Sequence, residues 1–245
     1  MLKEKPMSKL SEIIKIIDPD NWQDKIEKLD EYRKRILEAN EMVNMTRITE
    51  LEEFNNRHYI DSMMCCQSDE FLNAQSIIDV GSGGGFPGVP LALMFPEKQF
   101  TLLDSSRKRM NIVSEILSEM NIDNVVTIHA RAEELGRNTD YRESYDLCVS
   151  RAVASLPSLC EFCIPFVKTG GTFISYKGPK GDEELEQAKN AISKLGGQIG
   201  QILESDDTIF KAHGNEGHKL IFIKKISATP SQYPRGGGKP LKKPL

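Results

Sequence analysis

Apolar residues in the first 70 positions recur at the spacing of an amphipathic helix. Over residues 26–44 they fall on one face, with charged side chains between them, at Ile26, Leu29, Tyr32, Ile36 and Leu37. A break is expected just before this stretch, at Asp18-Pro19-Asp20. Because no strand pattern appears in this part of the chain, we predict a helical N-terminal segment over residues 1–70.

From Ser76 onwards, short apolar runs alternate with amphipathic stretches of helical period. The apolar runs predict strands over residues 76–80, 99–104, 124–130, 145–151, 172–178, 199–205 and 218–226. Helices are predicted from about Pro87 to Met94 and over residues 105–121, 156–167 and 182–196. This alternation is typical of an α/β domain, in which a mostly parallel sheet is covered by helices on both faces.

The end of the chain departs from this alternation in two ways. The last two predicted strands follow each other without a helix, which favours an antiparallel strand at the edge of the sheet. Residues 229–245 are rich in Pro, Gly and Lys, so we expect a basic tail that is extended or mobile when unbound. The predicted organisation is therefore an N-terminal segment over 1–70, an α/β domain over 71–228 and the tail.

Composition and charge narrow the class of protein. The chain is 39% hydrophobic and 28% charged, as expected of a globular protein, and its formal net charge of −4 argues against a wholly nucleic-acid-binding surface. We find neither an apolar run long enough to cross a membrane nor a secretory signal, so a cytoplasmic location without membrane association is expected. Cys160 and Cys163 have no second Cys/His pair at zinc spacing, so we expect buried thiols and no metal.

A glycine-rich turn, Asp79-Val80-Gly81-Ser82-Gly83-Gly84-Gly85-Phe86-Pro87-Gly88, joins the first predicted strand to the next helix. Gly81 and Gly83 can bring the backbone close to a ligand, and this edge of an open α/β sheet is where ligands bind. Asp104 ends the second strand, where a carboxylate can accept hydrogen bonds from ribose hydroxyls. The combination predicts a nucleoside-binding site.

Two nucleoside ligands fit this position, a nicotinamide dinucleotide and S-adenosylmethionine. The glycine spacing departs from the dinucleotide pattern, and Phe86-Pro87 places bulk where a phosphate would lie. Asp79 suits a cationic ligand without phosphate better than a pyrophosphate. The residues therefore favour S-adenosylmethionine, with a nicotinamide-dependent oxidoreductase as the alternative.

Two further strand ends are predicted to complete the pocket. Ala132 and Glu133 follow the third strand and can line an adenine site, although Glu133 can equally begin an exposed helix. Arg151 ends the otherwise apolar fourth strand, where an unpaired charge is costly to bury. Arg151 is thus a candidate site residue, with an ion pair to a loop carboxylate as the alternative role.

Taken together, the motifs resemble those of one family, the bacterial 16S ribosomal RNA guanine-nitrogen-7 methyltransferases, also called glucose-inhibited division protein B. The resemblance is carried by the glycine-rich turn, by Asp104-Ser105, by Arg131-Ala132-Glu133 and by Ser150-Arg151-Ala152-Val153-Ala154. It extends to the N-terminal segment through Tyr32, Asn40, Asn44, Thr46, Glu50, His58, Asp61 and Ser62, and to the tail through Tyr233-Pro234-Arg235 and Lys243-Pro244-Leu245.

This resemblance implies a Rossmann-like methyltransferase domain, S-adenosylmethionine as methyl donor, and a guanine in the 530 loop of 16S ribosomal RNA, free or in the small subunit, as acceptor. By position, it implies cofactor contacts from Gly81, Phe86, Asp104, Ser105, Ser106, Ala132, Glu133 and Arg151. Asn44, His58 and Arg151 are candidates for the catalytic pocket, although packing or capping roles are as plausible for Asn44 and His58.

Guanine nitrogen-7 has a lone pair and no proton, so this reaction requires no general base, and catalysis would come chiefly from alignment. Candidates for contacts with RNA phosphates are basic residues, namely Arg107, Lys108, Arg109, Arg131, Lys177, Lys180 and, with weaker support, Arg235. The alternative for each of these side chains is an ordinary solvated charge. Two other functions stay open: methylation of another RNA, a protein or a small molecule, and a non-catalytic RNA-binding module of ribosome assembly.

Overall fold

The computed structural model describes residues 7–245 of the chain, so the first six residues of the N-terminal segment lie outside it. This segment is helical, as predicted. Two helices come first, α1 Lys9–Ile17 and α2 Trp22–Asn40. A nearly continuous helical run follows, consisting of α3 Leu51–Phe54, a π-helical turn Asn55–Ile60, α4 Asp61–Met63, a 3-10 turn Met64–Gln67 and α5 Asp69–Asn73.

The rest of the chain builds a seven-stranded sheet with helices on both faces. The strands are β1 Ser76–Val80, β2 Gln99–Asp104, β3 Val125–His129, β4 Tyr145–Arg151, β5 Val167–Lys177, β6 Gly197–Glu204 and β7 Lys219–Lys225. The helices are α6 Gly88–Met94, α7 Arg107–Glu119, α8 Ala132–Leu135, α9 Leu156–Cys163, α10 Gly181–Lys194 and α11 Lys239–Lys242, with 3-10 turns at Ile164–Phe166 and Ser205–Asp207.

The strand order is β3-β2-β1-β4-β5-β7-β6. Strands β1 to β5 run parallel, whereas β7 runs antiparallel to both of its neighbours, β5 and β6. The predicted fold class, a mostly parallel sheet with an antiparallel arrangement at one edge, is confirmed. Because β7 is reversed, the residues that precede it lie at the same edge of the sheet as the carboxyl ends of the parallel strands.

Strand β5 begins at Val167, earlier than the predicted start at residue 172, so that Gly170 and Gly171 lie inside it. Gly170 adopts a φ of +92°, which a glycine tolerates within an irregular strand. A Cβ on Gly171 would lie 2.4 Å from the carbonyl oxygen of Asp146, so the missing side chain lets β4 approach. The glycine pair therefore marks close strand contact rather than a turn.

The N-terminal segment is packed onto the α/β domain beneath the glycine-rich turn. The hydroxyl of Tyr32, in α2, donates to the carbonyl of Gly84 over 2.8 Å, and the buried ammonium of Lys25 donates to the carbonyl of Leu93 over 2.9 Å. The Tyr59 hydroxyl donates to the carbonyl of Leu29, which joins the helical run to α2. The segment thus supports the turn directly.

The tail is docked on the domain, contrary to the expectation of an extended or mobile segment. Arg235 donates through Nη2 to Oε2 of Glu161 over 2.6 Å, and Glu161 is fully buried in α9. Arg142 binds the carbonyls of Thr229 and Tyr233, and Ser158 binds that of Pro240. The composition of the tail indicated mobility. It could not reveal the docking, because the partner carboxylate lies 74 positions away in sequence.

We predict that Arg235→Ala lowers the free energy of unfolding by about 3 kcal/mol, because it leaves the Glu161 carboxylate buried and unpaired. Urea denaturation of the variant and the wild type measures the change. Lys239→Ala, at an exposed position of the same tail, is the matched control and should change stability little. Equal stabilities for the Arg235 variant and the control would show that the ion pair does not hold the tail.

Candidate functional site

One large cavity, of about 1010 Å³, opens at the carboxyl edge of the parallel strands. Residues at or just after the ends of β1, β2, β3, β4 and β5 line it, as do His218 and Lys219 at the start of the reversed strand β7. His58 and Asp61 reach it from the N-terminal helical run. The cavity is therefore built by the edge of the sheet together with the helical segment, at the place where open α/β folds bind ligands.

The glycine-rich turn forms the floor of this cavity. Gly81 has a φ of +79° and lies so close to Val153 that a Cβ would be 2.2 Å from Val153 Cγ2. The amide of Gly81 donates to the carbonyl of Leu103 over 2.7 Å, and the amide of Gly83 donates to Oδ2 of Asp104 over 3.0 Å. These contacts fix the turn against β2 and leave room above it that a side chain at position 81 would remove.

Asp104 brings a nearly buried carboxylate to the cavity wall at the end of β2. Its Oδ1 accepts from the Ser106 amide over 2.7 Å and from Arg109 Nη2 over 3.0 Å, whereas Oδ2 accepts, from the described residues 7–245, only the hydrogen bond of the Gly83 amide. An ionised carboxylate offers about four acceptor positions. Oδ2 therefore keeps the capacity to accept a further hydrogen bond from a ligand.

Two residues predicted to bind the cofactor do not line the cavity. Asp79 is fully buried beneath the turn, where its Oδ2 accepts from the Gly88 amide over 2.8 Å. Burial raises the pKa of Asp79 to about 7, against the opposing effects of that amide and of the Arg151 charge. Ser106 caps α7 through its Oγ, so it orients the helix behind Asp104. Both residues support the site from below or behind.

The segment after β3 supplies the far wall. Ala132 and Glu133, in the first turn of α8, both line the cavity, and the carboxylate of Glu133 is buried. Its nearest cation is Arg131, at 3.8 Å, whose side chain is 63% exposed at the rim. Glu133 is therefore not the exposed start of a helix, and among residues 7–245 its carboxylate has only this long ionic contact beside the cavity.

His58, on the π-helical turn, is held by three neighbours. Its ring stacks on Phe86 with centroids 4.2 Å apart, its Nε2 lies 2.7 Å from Thr46 Oγ1, and Nδ1 lies 3.1 Å from Arg151 Nη2. Arginine can only donate, so Nδ1 accepts and Nε2 carries the proton. Burial and the Arg151 charge lower the pKa of His58 to about 3, which keeps the ring neutral.

Asp61, one helical turn beyond His58, joins the side chains of Arg151 and His218 at the cavity wall. Its Oδ2 accepts from Arg151 Nη1 over 2.7 Å, and its Oδ1 lies 2.7 Å from Nδ1 of His218. Burial would raise the pKa of Asp61, but the hydrogen bond from His218 and the Arg151 charge outweigh it, so the pKa lies below its usual value. Asp61 is therefore ionised and links three distant parts of the chain.

The other predicted residues divide clearly by position. The cavity wall contains Gly81, Gly83, Phe86, Asp104, Ser105, Ala132, Glu133, Arg151 and His58. Asn44 is exposed and lies outside it. Among the basic residues expected to meet RNA, Arg107, Lys108, Arg131 and Lys180 are exposed. By contrast, Lys177 binds Glu184 and the carbonyl of Ala154, and Arg235 binds Glu161.

Across residues 7–245, no cluster of three or more His, Cys, Asp or Glu side chains is arranged to hold a metal ion. Within the same range, none of the helices combines the length and the apolar character needed to traverse a bilayer. All five cysteines are buried and unbridged.

Comparison with known proteins identifies the family. The family model described as rRNA small subunit methyltransferase G matches residues 25–209. The chain belongs to this family. A relative named ribosomal RNA small subunit methyltransferase G, from Clostridium novyi, is 49% identical over 217 residues, covering 88% of this chain and 87% of the relative. A relative of the same name from Clostridium perfringens is 44% identical over 224 residues, covering 91% and 92%.

Solved structures support the fold. A putative O-methyltransferase from Klebsiella pneumoniae matches with a TM-score of 0.52 and 13% identity over 80% of this chain and 90% of that one. TYW2 from M. jannaschii, solved in complex with AdoMet, matches with a TM-score of 0.52 and 16% identity over 74% of this chain and 80% of that one. The Rossmann-like methyltransferase fold implied by the family resemblance is thus confirmed.

Sequence reasoning did not single out several cavity residues of this family member. Asp61 entered only as part of a motif, although its spacing of three from His58 places both side chains on one helix face. His218 gave no local signal, since its partner Asp61 is 157 positions away. Val153 and Tyr176 also line the cavity, and neither residue type indicates a ligand on its own.

The depressed pKa of His58 makes stability depend on pH. Above the unfolded-state pKa of 6.5, the ring is neutral in both states; below it, only the unfolded chain takes up the proton until about pH 3. The contribution of His58 to the free energy of unfolding should therefore fall by up to about 1.4 kcal/mol per pH unit as the pH drops from 6.5, whereas the raised pKa of Asp79 acts in the opposite direction over this range. Urea denaturation at several pH values, carried out on the wild type and on a His58 variant, isolates the His58 contribution.

His58→Gln is the matched variant, because glutamine can also accept from Arg151 and donate to Thr46 without titrating. The difference in stability between wild type and variant should shrink, or reverse, as the pH falls below 6.5. Parallel pH profiles for the two proteins would contradict a neutral, buried His58.

Proposed function

We propose that this protein transfers a methyl group from S-adenosylmethionine to nitrogen-7 of a guanine in the 530 loop of 16S ribosomal RNA. Membership of the rRNA small subunit methyltransferase G family carries this proposal, with relatives of that name at 44–49% identity over about nine-tenths of the chain. The cavity adds chemical support. The residues at the ends of β1, β2 and β3 suit a nucleoside, and those at the ends of β4 and β5 and the start of β7 form a second region beside them.

The first half fits a nucleoside sulfonium. The turn at Gly81 has no side chain to obstruct it, and Oδ2 of Asp104 can accept from ribose hydroxyls. Leu103 and Ala130 offer apolar wall to a base, with the buried Glu133 carboxylate beside them. These residues would hold the donor, and none of them requires a phosphate partner. No observation favours another substrate class or a non-catalytic module.

When bound, the donor supplies one methyl group: the bond from guanine nitrogen-7 to carbon forms as the carbon–sulfur bond breaks, its electron pair returns to sulfur, and the positive charge moves to the guanine. The residues of the chain need not move a proton. His58 is neutral and uses both ring nitrogens within the protein, so it does not serve as a base. What the pocket contributes is alignment of the reacting atoms.

The size of the cavity suits two occupants. Its volume of about 1010 Å³ lies at the upper end of the range of roughly 300–1,000 Å³ typical of small-ligand pockets. A guanine in RNA would have to leave its stack to enter. Arg131, exposed on the cavity wall, and Lys180, exposed two positions after the cavity residue Gly178, can bind RNA phosphates during entry, whereas Lys177 and Arg235 are occupied by carboxylates.

The partner in this proposal is 16S ribosomal RNA, either free or within the small ribosomal subunit. The reaction would take place in the cytoplasm, where this RNA is folded and assembled.

We predict that Asp104→Asn weakens binding of S-adenosylmethionine by about 10-fold, because the ribose loses a charged acceptor while the size of the side chain is kept. Isothermal titration calorimetry of the purified proteins measures the affinity. Asp123→Asn changes an exposed carboxylate beyond α7 and serves as the matched control, with unchanged affinity expected. Unchanged affinity in the Asp104 variant would show that Asp104 does not bind the ribose of the donor.

Labelled S-adenosylmethionine should transfer its methyl group to 16S RNA or small subunits that lack the modification. We expect mass spectrometry to map one methylated guanine to the 530 loop in RNA treated with the protein. RNA that already carries the modification is the control and should accept little label. Transfer to protein or small molecules, with none to this RNA, would refute the proposed substrate.

A further inference from the structure

The cavity has a second half, formed by the ends of β4 and β5, the start of β7 and the helical run. It lies beside the half that suits the methyl donor, because β4, β5 and β7 follow β1 in the order of the sheet. Most polar side chains on its wall are satisfied within the protein. Both nitrogens of the His58 ring are bonded, Tyr176 donates to the carbonyl of Ser62, and Lys219 binds Asp182 and Glu204.

His218 is different. Its Nδ1 lies 2.7 Å from Oδ1 of Asp61, and an ionised carboxylate can only accept, so Nδ1 carries the proton. In the neutral ring, Nε2 is then a hydrogen-bond acceptor. Within residues 7–245, Nε2 has no hydrogen-bond partner, while the side chain is 26% exposed and lines the cavity. An oriented acceptor is therefore available to a ligand in this half.

We propose that His218 recognises the target guanine by accepting a hydrogen bond from its N1–H at Nε2. This inference rests on the proposed function and names a base-recognition residue for it. N1–H lies on the Watson–Crick edge of the guanine, away from nitrogen-7, so a base held there leaves nitrogen-7 free to face the methyl group. Adenine carries an acceptor at N1, which would oppose the lone pair of Nε2.

This contact strengthens as the reaction proceeds. Methylation at nitrogen-7 makes the guanine cationic, and a cationic ring is a stronger donor at N1–H. The hydrogen bond to Nε2 is thus stronger in the transition state than in the ground state, which raises the rate of the chemical step rather than the affinity alone. No proton needs to be transferred, and the charge that develops is partly balanced by Asp61 behind the ring.

Asp61 acts as a positioning residue in this arrangement. Its carboxylate is 2% exposed and accepts from both Arg151 and His218, so it fixes the orientation and the tautomer of the His218 ring. Without that carboxylate, the ring could turn and present an N–H to the base instead of an acceptor.

Single-turnover methylation of 16S RNA or small subunits tests the role of His218. We expect His218→Ala to lower the rate of methyl transfer roughly 10- to 100-fold, with no change in the calorimetric affinity for S-adenosylmethionine. His218→Gln, whose Oε1 can accept, should recover part of the rate. His213→Ala is the matched control in the same loop, because that side chain is 93% exposed and does not line the cavity.

An unchanged rate in His218→Ala would overturn the proposal, and so would a loss explained by weaker donor binding. If the wild type methylates no RNA at all, the proposed function itself fails, which separates the two hypotheses.

The target base offers a second test with wild-type protein, which does not depend on the folding of any variant. Ligated 16S RNA can carry inosine or 2-aminopurine in place of the target guanine. Inosine keeps N1–H and should be methylated at a rate close to that of guanine, whereas 2-aminopurine lacks N1–H and should react much more slowly. Equal rates for the two analogues would overturn the N1–H contact.

The tautomer provides a readout that is independent of activity. Nitrogen-15 NMR of the neutral His218 ring, assigned with His218→Gln, should show the proton on Nδ1 in the wild type and a shift away from that tautomer in Asp61→Asn. A proton on Nε2 in the wild type would overturn the assignment of an acceptor facing the base.

Discussion

The buried carboxylate of Asp61 is the constraint on which the functional edge of this protein depends. A charge taken out of water is stable only with close partners, and here these are Arg151 from the end of β4 and His218 from the start of β7. Three segments far apart in sequence are thereby held in one register. The helical N-terminal segment is consequently part of the site rather than an appendage to it.

Hydrogen bonds also fix the other side chains around the cavity. The proposed reaction requires alignment of the reacting atoms, because guanine nitrogen-7 has no proton to remove. The side chains around the second half of the cavity are largely hydrogen-bonded to one another. Arg151 is held by Asp61, His58 and the carbonyl of Arg57, and Tyr32 fixes the glycine-rich turn from below. Such pairing keeps side chains in one rotamer, which is the requirement for alignment of reactants.

Much of the fold could be predicted from the sequence, since short apolar runs, glycine turns and helical periods are local signals. The same signals drew attention to Gly81, Asp104 and Glu133, because each lies at or shortly after the end of a strand that was itself recognisable. Asp79 shows the limit: its place in the turn suggested the ligand, yet its carboxylate binds the Gly88 amide in the core. His218 and the docking of the tail depend on partners 157 and 74 positions away, which no local pattern reveals.

The reversed direction of β7 has a consequence for how such a protein can change. At the edge of the sheet that carries the cavity, each parallel strand contributes the residues that follow it. Strand β7 is antiparallel, so it contributes the residues that precede it, from the connection after β6. His218, at the end of that connection, lines the half of the cavity proposed for the acceptor, whereas no hydrogen bond joins residues 205–218 to the glycine-rich turn. Substitutions or length changes between 205 and 218 can therefore alter the selectivity for the proposed acceptor while the residues proposed to bind the methyl donor stay unchanged.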